Sequence, residues 1–169
     1  IGEDYSEQLD VEPAKFFDHR HIRPQYACRP CESITAAPVP PAVIEGGMAA
    51  PGLITWVLIS KYLDHLPLYR LEQIAARDGV NLARSTLAEW VGQMGVTLQP
   101  LVDALKTEML SYPVLHADET PVAMLDPGKG KTHRAYLWSY SIGAFEPVKA
   151  VIYDFADSRA GKHAQEFLG

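Results

Sequence analysis

The sequence predicts an α+β fold laid out in four consecutive regions, and three observations carry that prediction. Apolar positions fall at helical spacing across residues 52–110, the period switches towards two from residue 112, and a Cys-x-x-Cys pair, Cys28 and Cys31, precedes both. With 169 residues, 47% of them hydrophobic, the chain is long enough to bury a core.

Residues 1–35 show no helical period; pieces such as "KFFDHRHIRPQYACRPCE" lean towards β structure around the cysteines. Then "TAAPVPPAVIEGGMAAPG" gathers prolines and glycines, which break regular structure and predict an extended linker over 36–51. The region 52–111 reads as all helical. "GLITWVLISKYLDHL" has the density of a buried helix, and "PLYRLEQIAARDGVNLARSTLAEWVGQM" gives two shorter helices around "DGVN". Ser85 is placed to cap the second, with Leu87, Trp90, Val91 and Met94 on its inner face, and Pro100 predicts a break before a last helix in "LVDALKTEMLS". In 112–169, "PVLHADETPVAML", "HRAYLWSYSI" and "VKAVIYDFA" are strands separated by the turn signals "DPGKGK" and "GAFEP". Short turns between consecutive strands predict an antiparallel meander, and "SRAGKHAQEFLG" opens a helix after it.

A net charge of −6 argues against a protein that coats nucleic acid by bulk electrostatics. The charge is uneven, however. Glu3, Asp4, Glu7, Asp10 and Glu12 stand without a base, whereas Lys15, Arg20, Arg23 and Arg29 face the single acid Asp18, so only the second stretch is ready for phosphate. The most apolar window, "GLITWVLISKYL", is about half the roughly 20 residues of a membrane span, and no charged start leads into an apolar run. The reading is a soluble, cytoplasmic chain without a membrane partner.

Within "HADET", alternation puts His116, Asp118 and Thr120 on one strand face and Leu115, Ala117 and Glu119 on the other. A carboxylate in an apolar strand is expensive to desolvate unless something positive stands against it. From the residues alone, two readings stay open: an acid that caps a turn or pairs with a lysine of "GKGK", or a metal ligand. The two cysteines suit metal ligation or redox work better than a structural disulfide, yet they supply one knuckle where tetrahedral zinc needs four ligands. His19 and His21 offer a rival completion. The helix pair at 69–94 reads either as a helix-turn-helix with "ARSTLAEWV" as reader or as plain core. Lys129, Lys131, His133 and Arg134 gather at the first hairpin tip, where they either solubilise a loop or grip a phosphate backbone.

The segments "YACRPCE", "GLITWVLISKYLDHLPLYRLEQIAARDGV", "RSTLAEWV", "VLHADETPV" and "AYLWSY", in this order and spacing, resemble the bacterial insertion-sequence transposases of the 66 type. That resemblance implies a DDE catalytic domain of the ribonuclease H-like superfamily, of which 112–169 would be the first half. It also implies Asp118 as the first of three catalytic carboxylates, binding Mg²⁺ or Mn²⁺, and Cys28 and Cys31 as zinc ligands of a zinc-ribbon-like region whose preceding knuckle lies upstream. The implied partners are transposon-end and target DNA, held by Arg20, Arg23, Arg29, Lys129, Lys131 and Arg134, and further copies of the chain in a nucleoid-associated assembly. The family's second aspartate and its glutamate fall beyond "GKHAQEFLG". Asp154 and Asp157 stand where the family has no catalytic acid, so the expectation is a fragment inactive alone. The alternative is a non-catalytic DNA-binding or assembly remnant.

Overall fold

The computed structural model describes residues 8, 9 and 15–169; the acidic run from Glu3 to Glu12 lies outside them. Among the described residues the elements run β1 (Gln25–Ala27), β2 (Ile34–Ala36), α1 (Pro51–Tyr62), α2 (Leu68–Arg77), α3 (Arg84–Leu110), β3 (Leu115–Asp126), β4 (Lys131–Ile142), β5 (Val151–Ala156) and α4 (Lys162–Leu168). The fold is α+β, with an antiparallel strand pair, β1–β2, near the start and a three-stranded antiparallel sheet of order β3-β4-β5. The chain divides into two compact units, one ending at Met94 and the other beginning at Gly95, each with its own core.

In the first unit, Pro51 starts α1, where a proline's missing N–H costs nothing and its fixed φ suits the helix. Ile54 and Val57 of α1, Leu71 and Ala75 of α2, and Leu87, Trp90 and Met94 of α3 form the core. The "DGVN" turn is as the sequence predicts: Gly79 adopts φ +79°, and the N–H groups of Asp78, Gly79 and Val80 donate to the carbonyls of Ala75 and Ala76 that end α2. Two details differ. The proline-rich stretch is not free along its length, because Ile44 and Ala49 are buried in this core. Ser85 falls inside the first turn of α3, which begins at Arg84.

Pro100 does not break the helix either. α3 runs unbroken for 27 residues with Pro100 inside it. A proline in a helix interior removes the bond to the carbonyl four residues back, here that of Val96. Residues 95–104 are all exposed, so water reaches that carbonyl and the helix can continue through the proline.

In the second unit, the pairs Asp126↔Lys131 and Leu115↔Ile142 delimit the β3–β4 hairpin, and Gly128 and Gly130 take positive φ in its turn. One sheet face carries Trp138, Tyr140 and Ile142 of β4 and Ile152 and Ala156 of β5, all buried together with Met109 of α3 and Phe167 of α4. The Tyr140 and Phe167 rings stack with centroids 3.6 Å apart. The other face carries Leu137, Val151, Tyr153 and Phe155, which remain exposed.

Candidate functional site

β3 and β4 position the acidic pair. Opposite Asp118 on β4 is Ser139, itself opposite Tyr153 on β5; opposite Glu119 is Trp138, itself opposite Asp154. Because directly paired residues share a face, Asp118 lies on the exposed face and Glu119 on the core face, as alternation predicts.

Asp118 is exposed, and its Oδ1 accepts only the backbone N–H of Glu119 at 3.0 Å; the Ser139 hydroxyl donates to the Asp118 carbonyl at 3.5 Å. No cation lies against its carboxylate among the described residues. The desolvation problem raised by the apolar strand therefore falls on Glu119 instead. That side chain is 17% exposed and is relieved by an ion pair with the guanidinium of Arg159, forty residues further on. No sequence signal pointed to Arg159. The lysine of "GKGK" that finds a carboxylate is Lys129, whose Nζ is 2.9 Å from Asp126 Oδ2.

Asp154 is set within β5 and lies on the core face, away from Asp118. Asp157 stands beside α4, where its Oδ1 is 3.7 Å from His163 Nε2 and Ser158 Oγ is 2.9 Å from the same nitrogen. A serine and an aspartate on one ring nitrogen cannot form a nucleophile relay, which needs the acid on the other nitrogen. The trio ties the start of α4 to the loop before it.

Around the cysteines, β1 and β2 enclose a tight turn in which the Cys28 N–H donates to the Ser33 carbonyl at 2.9 Å and Glu32 takes φ +53°. Both thiols are free and exposed. Hydrogen bonding from Cys28, and then from Ser33, whose Oγ is 3.0 Å from Cys31 Sγ, holds the Cys31 thiol down at about 7. A readily formed thiolate in a Cys-x-x-Cys turn fits soft-metal ligation and supplies two of the four donors zinc takes. His19 and His21 instead stack on each other, with ring centroids 6.4 Å apart. Among the described residues no group of three or more His, Cys, Asp or Glu side chains could hold a metal, so the histidines do not complete a site with the cysteines.

The basic residues are dispersed. Arg20, Arg23 and Arg29 are exposed along the strand pair, where Arg23 donates to the Ala37 carbonyl at 3.2 Å, and Lys131 and Arg134 are exposed on β4. No helix among the described residues is long and apolar enough to cross a membrane.

A strand pair bearing a cysteine knuckle, followed by helices and an acid-bearing antiparallel sheet, is the layout of a zinc-finger module joined to an α+β domain. Residues 1–32 match the zinc-finger binding domain of transposase IS66, and residues 46–169 match the transposase IS66 family. The chain belongs to the IS66 family of transposases. It is 40% identical to the uncharacterized protein y4qI and 41% identical to the uncharacterized protein y4jD, both of Sinorhizobium fredii, over 100% and 99% of its own length. A third protein of that organism, y4hP, is 31% identical. The chain spans about a third of the length of these relatives, 33% and 34% for the first two. No solved structure matches it.

Proposed function

We propose that this chain is part of a DDE transposase that cleaves and transfers DNA strands at the ends of an insertion sequence, with Asp118 as a metal-ligating carboxylate of a ribonuclease H-like sheet. The observation that carries this reading is the contrast within the acidic pair. Glu119 is spent on Arg159, while Asp118 keeps its carboxylate open on a strand held in a fixed register. Hard divalent ions such as Mg²⁺ or Mn²⁺ take carboxylate oxygens, and two of them would neutralise the attacking and leaving oxygens of an in-line phosphoryl displacement.

Asp118 fits as one such ligand, and the described residues around it do not close a site. What the chain itself contributes is placement: the β3–β4 ladder fixes the backbone of Asp118, and the Glu119 N–H holds one of its oxygens. Cys28 and Cys31 would hold zinc together with two further donors, and Arg20, Arg23, Arg29, Lys131 and Arg134 would meet phosphates. Active transposition would take several copies of the protein.

The test uses a polypeptide of the relatives' length containing this chain. It is expected to cut transposon-end DNA with Mg²⁺, and Asp118→Asn to abolish cutting with the fold intact, since the amide is nearly isosteric but uncharged. Glu119→Gln is expected to be far milder. Cutting by the Asp118→Asn protein at the parent rate sinks the assignment. The 169-residue chain alone is expected not to cut.

A further inference from the structure

Several side chains that bring positive charge to this protein's helices and sheet are already committed. Arg84 lies 3.4 Å from Glu72, Lys129 pairs with Asp126 and Arg159 with Glu119, while the Lys149 ammonium is taken by the carbonyls of Ala144 and Glu146. Arg70 and Arg77 of α2 differ. Both are exposed, and neither has a carboxylate partner among the described residues. They are seven residues apart, so they fall on one face of α2 about 10.5 Å from each other along its axis, with Gln73 and Ile74 between them. That face lines a surface cleft of about 520 Å³ with Tyr69 and Leu66 at its end.

The cleft sets Arg70, Gln73 and Arg77 beside an apolar lining of Leu66, Pro67, Tyr69 and Ile74. Arg70 is steadied by Tyr69, with its guanidinium 5.4 Å from the ring centroid and its Nε donating to the phenol oxygen at 3.3 Å, which leaves its terminal N–H groups unspent. The acid of α2, Glu72, points to a different side and is neutralised by Arg84. Leu71 and Ala75 hold the opposite side of the helix in the core, so the arginine face is fixed in place. Two guanidiniums on one helix face can each meet a phosphate of the same backbone. Guanidinium forks suit phosphate oxygens, and Gln73 adds a neutral donor between them.

We propose that the Arg70–Gln73–Arg77 face of α2 is a binding site for the DNA phosphodiester backbone, and that α2 rather than the start of α3 is the DNA-facing member of the helix pair. This rests on the transposase reading above. At the start of α3, Arg84 is held by Glu72, and the neighbouring cleft carries Glu45 and Glu89, which repel phosphate.

The experiment is fluorescence anisotropy on the 169-residue chain with short labelled duplexes of two unrelated sequences, titrated across a range of salt. The double variant Arg70→Gln/Arg77→Gln is expected to flatten the slope of log affinity against log salt by about 1.8, since each lost phosphate contact removes about 0.9. The loss is expected to be equal on both duplexes, and Arg70→Lys/Arg77→Lys is expected to keep the parent slope. Arg84→Gln is expected to leave the slope within error of the parent. Circular dichroism confirms that the exposed substitutions leave the helices in place. A parent that binds alongside a double variant of unchanged slope overturns the α2 site and leaves the transposase reading standing. A loss confined to one sequence also overturns it, because that is base reading. A parent that binds neither duplex also overturns the α2 site, while the transposase reading stands or falls separately on cleavage by the longer polypeptide.

Discussion

The β1–β2 strand pair and the β3–β4–β5 sheet are both antiparallel, yet they are held by different forces. From Phe17 to Val43 every residue is exposed, so the strand pair has ladder hydrogen bonds and a turn but no buried side chain of its own. The sheet buries Tyr140 completely and stacks it on Phe167, with Trp138, Ile142 and Ile152 around it. An isolated two-stranded hairpin is marginal in water, and a zinc module gains its folding energy from the ion. The comparison teaches that side-chain burial maintains the sheet, while the strand pair is held by hydrogen bonds along its backbone and turn.

Tyr140→Ala tests the sheet most severely. It removes the largest fully buried side chain among the described residues and is expected to cost about 3–5 kcal/mol in denaturant unfolding, by analogy with aromatic truncations in other cores. Tyr26→Ala in β1, 66% exposed, is the matched change in the strand pair and is expected to stay within about 0.5 kcal/mol. Equal losses at the two tyrosines would erase the contrast.

Tyr140→Phe sharpens it. The Tyr140 hydroxyl is buried without a hydrogen-bond partner among the described residues, and an unsatisfied buried donor carries a penalty, so its removal is expected to stabilise the fold by about 1 kcal/mol. Burial, with the charge of Asp154 adding to it, raises this phenol above its ordinary value of 10.0. The folded state thus holds the proton more tightly than the unfolded one. The stability from that difference is complete below pH 10 and is lost as pH climbs through the raised folded value. Parent protein is expected to lose more stability above pH 10 than the phenylalanine variant; parallel curves would place the hydroxyl in contact with water.

Glu119→Gln breaks the ion pair with Arg159, which is itself 71% exposed, and is expected to cost at most about 1 kcal/mol in thermal unfolding. A larger loss would make that pair part of the sheet's framework. The smallest effect belongs to the strand pair's thiols. Alkylation of Cys31 is expected to show a midpoint near pH 7, and Cys28→Ala is expected to move that midpoint upward by removing its chief hydrogen-bond donor. Dialysed chain is expected to retain little zinc by elemental analysis, because two thiolates leave a tetrahedral site half filled. One firmly held zinc per chain would reverse that expectation.

The meander was legible because its side-chain period of two and its glycine turns are local properties of "HADETPVAML", "DPGKGK" and "HRAYLWSYSI". The same alternation separated Asp118 from Glu119 before any partner strand was known. The positions of α1 and α2 followed from apolar spacing and from the "DGVN" stop signal for a similar reason: helix periodicity and helix ends are written within a few residues. Pro100 was misleading. Its local rule predicts a break, but a proline's effect depends on whether water can reach the carbonyl it orphans, and exposure is not a local property.

By itself, the sequence determined the α+β order of elements, the cysteine knuckle and the face on which each acid of "HADET" lies. Only the tertiary structure decided which of those acids is spent. Glu119 meets Arg159 across forty residues because the loop after β5 returns to the core face of β3, and Asp118 stays open because Ser139, not a cation, stands opposite it. Alternation is fixed by backbone geometry at each residue, whereas a charge's partner is fixed by where distant segments meet, and no local pattern encodes that meeting.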